Sequence, residues 1–573
     1  MRVSSGGIKR WAAIGGAIAF SLASSGCGKA QLTRTQDHPG TGGANSAGNG
    51  ASGDGAAADS GAGAGDGGAP SLSAGASELR RLTAAEYAAT VSDVLGTTTA
   101  PNLAAFTHEV DGFDNNAAAN GVDDQLYLRY LQTAEALADE VFASEALRPR
   151  FVTCALVDDT QCVGQIISQA GLHLFRRPLL EDEVAGYQKA YARARVRNES
   201  HEGALKEVLI ALLASAQFLY RMEFVPTADG TQPISPYDLA TRLSYLLWSS
   251  APDDPLLDAA AQSALESDEQ LTASVTRLLA SPKARRFSEN FGGQWLGARA
   301  VTSAPIDLNE FQGWSPSVAA SAALEIDAYF EQFLHNDLDF RGFFDSRAHF
   351  VDGNLSKLYG LNAAGTELQR VDLNGVDRRG YLGLVGFLVQ TSYPTRGSPS
   401  RRGQRILERL LCSPLPPEPA DMPRYDGEAP FIRSYLAQFA GGADCVRCHA
   451  PIDALGLALE NYDAIGQYAT DYSVGMPIDA RVTLPASLAP AGDASVSGLA
   501  GVSAALAQNP AFTACTAQML YSYGFGRSLS DQDRTNVQAL HAQWQSGPLT
   551  LQQLILRLVL SPTFRSRSDG GSL

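Results

Sequence analysis

Positive charge is scarce in this chain. Its 573 residues carry 44 Lys and Arg against 61 Asp and Glu, a net charge of −17. So acidic a protein lacks the basic surface that phosphate binding requires, which excludes nucleic acid as a partner. Long apolar runs are missing too. The longest, Trp11 to Leu22, covers 12 residues, too few for a permanent membrane span. Hydrolase signatures are absent: there is no Gly-x-Ser-x-Gly, and His108-Glu109 and His201-Glu202 each lack the second His of a zincin motif. With only five tryptophans, no aromatic ladder of the kind that grips polysaccharide is legible.

What stands at the N-terminus is an export signal. Arg2, Lys9 and Arg10 precede the apolar run, and small residues lead up to Cys27. Ser24-Ser25-Gly26-Cys27 resembles a bacterial lipobox, with Ser24 where Leu is usual. Residues 1–27 therefore read as a signal peptide that ends in lipidation of Cys27, with ordinary signal cleavage as the alternative. The expected location is the cell envelope, as an outer-membrane lipoprotein facing the periplasm or the surface. Residues 28–77 are Gly, Ala, Ser, Asp and Asn with almost nothing large to bury, a disordered tether with a mean reach of about 40 Å. Gly63 to Gly68 matches Gly-x-Gly-x-x-Gly only by composition, since no strand precedes it and no helix follows.

From Ser77 onward the periodicity is helical. Thr83-Ala84-Ala85-Glu86 is a capping box, and further helices are predicted over 125–142, 166–175, from Pro178 to Arg195, 204–221, 236–248 and 318–334. Glu109 to Asn116 is an acidic turn-rich loop, structural or calcium-binding. Its oxygens do not alternate as an EF-hand requires. Leu213-Ala214-Ser215, Leu279-Ala280-Ser281-Pro282 and Leu560-Ser561-Pro562 echo one another as a helix-ending device. Around 369–393 glycines suggest loops and a short strand pair, and Pro414 to Pro419 forms a polyproline-like connector. Four more helices are predicted, over 499–506, 514–523, 530–544 and 549–560. The expected fold class is mainly α: several packed helical modules, a cytochrome c-like segment near the C-terminus and little β-structure.

Cys445-Val446-Arg447-Cys448-His449 names a cofactor. Two thiols on one helical turn can form thioethers with the vinyl groups of haem c, and the adjacent imidazole can ligate the iron. The competing readings are a Cys445–Cys448 disulfide and a zinc knuckle, for which two further ligands would be needed. Haem attachment is extracytoplasmic in bacteria, in agreement with the export signal. For the sixth iron position Met476 lies 27 residues after His449, with Met422 and Met519 as alternatives. Arg396, Arg401, Arg402 and Arg405 form the densest basic cluster of the chain, suited to the haem propionates by paired hydrogen bonds or merely a solvated helix start. Cys154, Cys162, Cys412 and Cys515 remain, an even number in an oxidising compartment. Three pairings are possible, or four free thiols. The favoured pairs are Cys154 with Cys162 and Cys412 with Cys515, the latter a staple across the Cys-x-x-Cys-His segment.

Several stretches together resemble one family: Arg80 to Tyr87, Gly112 to Asn115, Phe175-Arg176-Arg177-Pro178-Leu179, Phe218-Leu219-Tyr220-Arg221, Arg242 to Trp248, Ser398 to Gly403 and Cys445 to Gly466. It is the planctomycete- and myxobacterial-type group of multi-domain exported cytochrome c-like proteins, whose modules mostly have no known function. The resemblance implies modules at 78–145, 146–225, 226–376, 377–473 and 474–567, the fourth a haem c module. In that family an Asp-Pro-Leu-Gly turn and a Leu-Glu-Asn-Phe-Asp segment follow the haem motif. The counterparts here are Asp453-Ala454-Leu455-Gly456 and Leu459-Glu460-Asn461-Tyr462-Asp463, with Ala454 in place of the proline. The functional expectation is electron transfer or a haem-assisted redox reaction with an unknown redox partner or substrate. The alternative is a cell-envelope binding protein, for polysaccharide or a surface protein, with haem absent or structural.

Overall fold

The computed structural model describes residues 78–99, 103, 108–119, 121–154, 157–223, 231–374, 377–416, 432–438, 443–472, 475–489 and 494–568. The signal peptide, Cys27, the tether, Met422 and the end of the proline connector lie outside the described residues. The fold is mainly α. Its principal helices are α1 (Ala84–Leu95), α2 (Asp124–Ala143), α3 (Thr160–Leu174), α4 (Glu181–Val196), α5 (His201–Leu213), α6 (Pro236–Trp248), α7 (Asp254–Ala261), α8 (Asp268–Ala280), α9 (Pro316–His335), α10 (Pro399–Arg405), α11 (Ala443–Leu457), α12 (Gly498–Gln508), α13 (Pro510–Phe525), α14 (Asp531–Gln545) and α15 (Leu551–Leu560).

Caps decide where these helices start. Thr83 and Glu86 exchange both bonds of the capping box, at 2.9 and 3.1 Å, each satisfying a backbone donor at the helix start. α3 begins well before the predicted Ile166, because Asp159 accepts from the Cys162 amide at 2.6 Å and nucleates the helix there. The predicted helix 204–221 is broken. Ser215 Oγ donates to the Leu212 carbonyl at 2.7 Å and accepts from the Phe218 amide at 3.3 Å, closing α5 and opening a single turn. Ser561 does the same with Leu558 and Phe564 after α15, and Ser281 caps the turn after α8. The echo in the sequence is thus one device used three times.

Strands are short and, among the described residues, pair only in twos. β1 (Arg80–Arg81) joins β2 (Tyr220–Arg221), β3 (Thr231–Pro233) joins β8 (Ser566–Ser568), β4 (Ala348–Val351) joins β5 (Gln369–Asp372), and β6 (Arg481–Thr483) joins β7 (Ser495–Ser497), all antiparallel. β2 and β8 follow a Ser device, and in both an arginine clasps the preceding turn. Arg176 donates to the Phe218 carbonyl at 3.0 Å and Arg242 to the Phe564 carbonyl at 2.7 Å.

A continuous apolar core runs from Phe113 to Phe564. Phe340 stacks on Phe512 at 5.4 Å, and Phe344 meets the same ring at 4.5 Å, so central and C-terminal helices share aromatic layers; each such buried ring stabilises by about 1.5–3 kcal/mol. The acidic loop 109–116 is a plug in this core. Phe113 stacks on Phe291 and sits edge-on to Tyr523, the Asp114 amide donates to Gln294 at 2.8 Å, and Asn115 donates to the Tyr523 carbonyl at 2.8 Å. Both favoured disulfides are formed, Cys154–Cys162 and Cys412–Cys515, with Cα separations of 5.7 and 5.2 Å.

Candidate functional site

Cys445, Cys448 and His449 lie on α11, and the way α11 is seated decides what each can do. α10 starts on the Ser398 cap with Pro399 at its first position and crosses α11 at backbone distance. A Cβ on Gly403 would fall 1.9 Å from the Ile452 carbonyl oxygen, and one on Gly456 1.8 Å from that of Pro399. Glycine at both positions is what permits the crossing.

The far end of the pair is locked by Arg402. Its side chain is fully buried and donates to the carbonyls of Leu459 at 2.7 Å and Asp463 at 2.8 Å. Glu460 beside it is pushed up to about 7 by burial, against the pull of Arg402. Asp463 closes its own turn, accepting from the amides of Ile465 and Gln467 at 3.0 and 2.8 Å. Arg378 lies between the rings of Tyr359 and Tyr462, 4.4 and 4.9 Å from their centroids, tying this segment to the central helices.

The segment Asp453–Gly456, for which the family resemblance implied a turn, is the last turn of α11. Ala454 lacks the proline ring that would disfavour helix in the residue before it, so the helix runs on to Leu457. The chain turns only at Leu459 and Glu460, whose amides bond Gly456 and Leu457.

This placement gives α11 one wet end and one dry end. Cys445, Val446 and Arg447 are exposed, Cys448 is half-buried, and both thiols are free. Ile452 and Leu455 are buried. His449 stands at the boundary, only 8 % exposed, with its Nδ1 3.0 Å from Asp453 Oδ2. Ser400 Oγ of α10 lies 3.5 Å from the other carboxylate oxygen. Burial pushes the Asp453 carboxyl up, with His449 opposing. A carboxylate on Nδ1 fixes the ring and raises the basicity of the imidazole, an arrangement common behind metal-ligating histidines. Sequence reading missed Asp453, although its spacing of four from His449 on a helix was a usable signal.

The other predicted residues are spread out. Arg401 is exposed, lies 3.9 Å over the Tyr393 ring and donates to the Ser392 carbonyl at 2.9 Å. Arg396 covers the same ring at 4.5 Å, while Arg405 donates to Gln390 at 2.8 Å. Met476 is 50 % exposed on a turn closed by the Tyr472 amide and the Met476 carbonyl at 2.8 Å. Met519 is buried in α13. Cys412–Cys515 fastens the end of the α10 segment to α13, and Trp295 Nε1 donates to the Arg409 carbonyl nearby at 2.6 Å. Among the described residues, no group of three or more His, Cys, Asp or Glu is placed to hold a metal ion. No helix there is long and apolar enough to cross a membrane.

Five family models match the chain, in order: proteins of unknown function DUF1587 at residues 80–143, DUF1595 at 162–223, DUF1592 at 234–361, DUF1588 (PSCyt3) at 378–472 and DUF1585 at 492–564. No curated protein and no solved structure matches it. The chain is therefore built from five successive modules of unknown function, with the Cys-x-x-Cys-His helix inside the PSCyt3 module, an arrangement consistent with the planctomycete-type multi-domain family.

Proposed function

We propose that the protein is an exported, lipid-anchored, c-type cytochrome-like protein that carries electrons, or runs a haem-assisted redox reaction, at the cell envelope. The observation that carries this is the presentation of the motif on α11: two free, solvent-reachable thiols one turn apart, followed by an imidazole whose Nδ1 is held by a half-buried carboxylate. These residues fit a covalently attached haem. Cys445 and Cys448 would provide the thioether sulfurs and His449 the proximal nitrogen, and bound haem would supply a one-electron iron centre. Asp453 orients the ring. Arg401 is the exposed guanidinium available to a propionate, whereas the Nη groups of Arg402 are on carbonyls. Met476, on an exposed turn, is the candidate distal ligand. The printed name of the matched module, PSCyt3, and two disulfides suited to an oxidising compartment support the reading, and the lipobox-like Ser24 to Cys27 supports the anchor.

The test is redox spectroscopy on full-length protein made in a host with haem-attachment machinery. A sharp reduced α-band that appears and disappears reversibly under potentiometric titration is the expected result. No haem band, while a control cytochrome c matures in the same cells, would overturn the proposal.

A further inference from the structure

Far from α11, β1 and β2 put two arginines where neither ought to be comfortable. Arg80 and Arg221 are direct partners in the antiparallel pair, a like-charge opposition that destabilises a sheet, and they are only 6 % and 7 % exposed. Water is too scarce there to screen them. Burial, together with Arg221 and Arg242, pushes the Arg80 guanidinium down to about 9.

Neighbouring charges do not resolve the conflict. Arg80, Arg176, Arg177, Arg221 and Arg242 line one small cavity with Glu223 and Asp238. Glu223 is held by Arg242 at 2.5 and 2.6 Å, and Glu183, behind the cavity, is held by Arg177 at 2.8 Å. Arg176 is saturated by the carbonyls of Gln217, Phe218 and Tyr220. Glu86 comes no closer to Arg221 than 3.4 Å, since its other oxygen serves the α1 cap. Asp238 is committed to Ser235 and is pushed up to about 6 by burial. Among the described residues, five guanidiniums therefore face four carboxylates; Arg80 has only the Gly524 carbonyl, at 3.1 Å, and Arg221 only the ion pair with Glu86 at 3.4 Å. The Nε and Nη2 of Arg221 are buried without a hydrogen-bond partner among the described residues, an arrangement native proteins rarely leave unmet.

We infer that this cavity is an anion site, holding one monovalent inorganic ion of chloride size between Arg80 and Arg221. The cavity is about 20 Å³, room for one small occupant. A water molecule would satisfy hydrogen bonds but not the surplus charge. The ion would brace β1 against β2, and with them the junction of the 80–143, 162–223 and 234–361 modules.

The test uses the full chain, its melting temperature followed in sodium chloride and in sodium gluconate at equal ionic strength. Chloride should give a saturating rise of several degrees that gluconate does not, by preferential binding to the folded state, and bromide should reproduce it. Arg221→Met should abolish the difference between the salts. Should that variant not fold, crystals of the unmodified protein soaked in bromide decide the matter, an anomalous peak between Arg80 and Arg221 being expected. Equal melting curves in the two salts, a chloride response that survives in a folded Arg221→Met, or a cavity without bromide at saturation would each overturn the site.

Discussion

Arginines 396, 401, 402, 405 and 409 crowd one stretch of sequence and disperse in the fold, while Arg80, Arg176, Arg177, Arg221 and Arg242 are scattered through the sequence and converge on one cavity. Successive residues on a helix point about 100° apart. Arg401 thus faces solvent while Arg402, the next residue, is sunk against the carbonyls of Leu459 and Asp463. The scattered set is gathered by the β1–β2 pairing and the Ser215 turn, neither of which has any sequence density. Charge crowding along a chain therefore says little about a shared field, whereas strand register and helix breaks say a great deal. The same contrast separates the cysteines. Four are consumed as staples, and the two closest in sequence remain free on an exposed helical turn.

The largest effect should come from cutting the staple beside α10. The Cys412–Cys515 bond closes 103 residues, for which the chain-entropy model gives about 4–5 kcal/mol, against about 2.5 kcal/mol for the short Cys154–Cys162 loop. In Cys412→Ser/Cys515→Ser, limited proteolysis should open the C-terminal helices before the N-terminal modules. Simultaneous opening would erase the difference between the two regions.

Next in size is the pair Arg402→Met and Arg401→Met. The first leaves two carbonyls without their donor and Glu460 without the strongest of its cationic neighbours, and should cost about 2–4 kcal/mol in denaturant unfolding. The second removes an exposed group and should stay within about 0.5 kcal/mol. Equal losses would mean that the buried clasp does not matter.

An imbalance of the opposite sign sharpens the comparison. Asp327 on α9 has a buried oxygen without a hydrogen-bond partner, and burial, reinforced by Glu289, pushes its carboxyl up to about 8. The native state then holds a proton that the unfolded chain gives up, so stability falls as pH rises from near 4 to about 8. Asp327→Asn should flatten that decline and gain about 1–3 kcal/mol at pH 8, read from urea midpoints across pH. An unchanged pH profile would show that the acid is already solvated.

The smallest effects concern tuning of the proposed haem. Asp453→Asn removes the carboxylate on His449 Nδ1, so the less basic imidazole favours the reduced iron and the midpoint potential should rise by roughly tens of millivolts. Met476→Ala should lower it and remove the weak Met-to-ferric charge-transfer band. An unchanged ferric spectrum would assign the distal position to another residue or to water.

Much of the fold was legible because local chemistry controls it. The Thr83–Glu86 box, the Ser235-Pro236 start and the Ser breaks at 281 and 561 each act within four residues, and both disulfides are the favoured pairs among the three pairings that an even remainder of cysteines allows. The missed break at Ser215 was written in the same echo, but the apolar periodicity ran straight through it. The motif Cys445 to His449 was legible as chemistry. Its partner Asp453 was hidden because the resemblance implied a turn where Ala454 lets the helix continue. The five arginines of the cavity all fall in stretches that carry the family resemblance, but their convergence was not legible from spacing, since β1 and β2 lie 140 positions apart.

The most direct measurement is whether haem stays on the polypeptide after denaturation. Full-length protein and Cys445→Ser/Cys448→Ser would be produced side by side in cells that mature a control cytochrome c, then run on a denaturing gel and stained for haem. A haem-positive band for the unmodified chain and none for the double variant is the expected result. A colourless band for the unmodified chain beside a stained control would contradict the assignment of Cys445, Cys448 and His449 to haem.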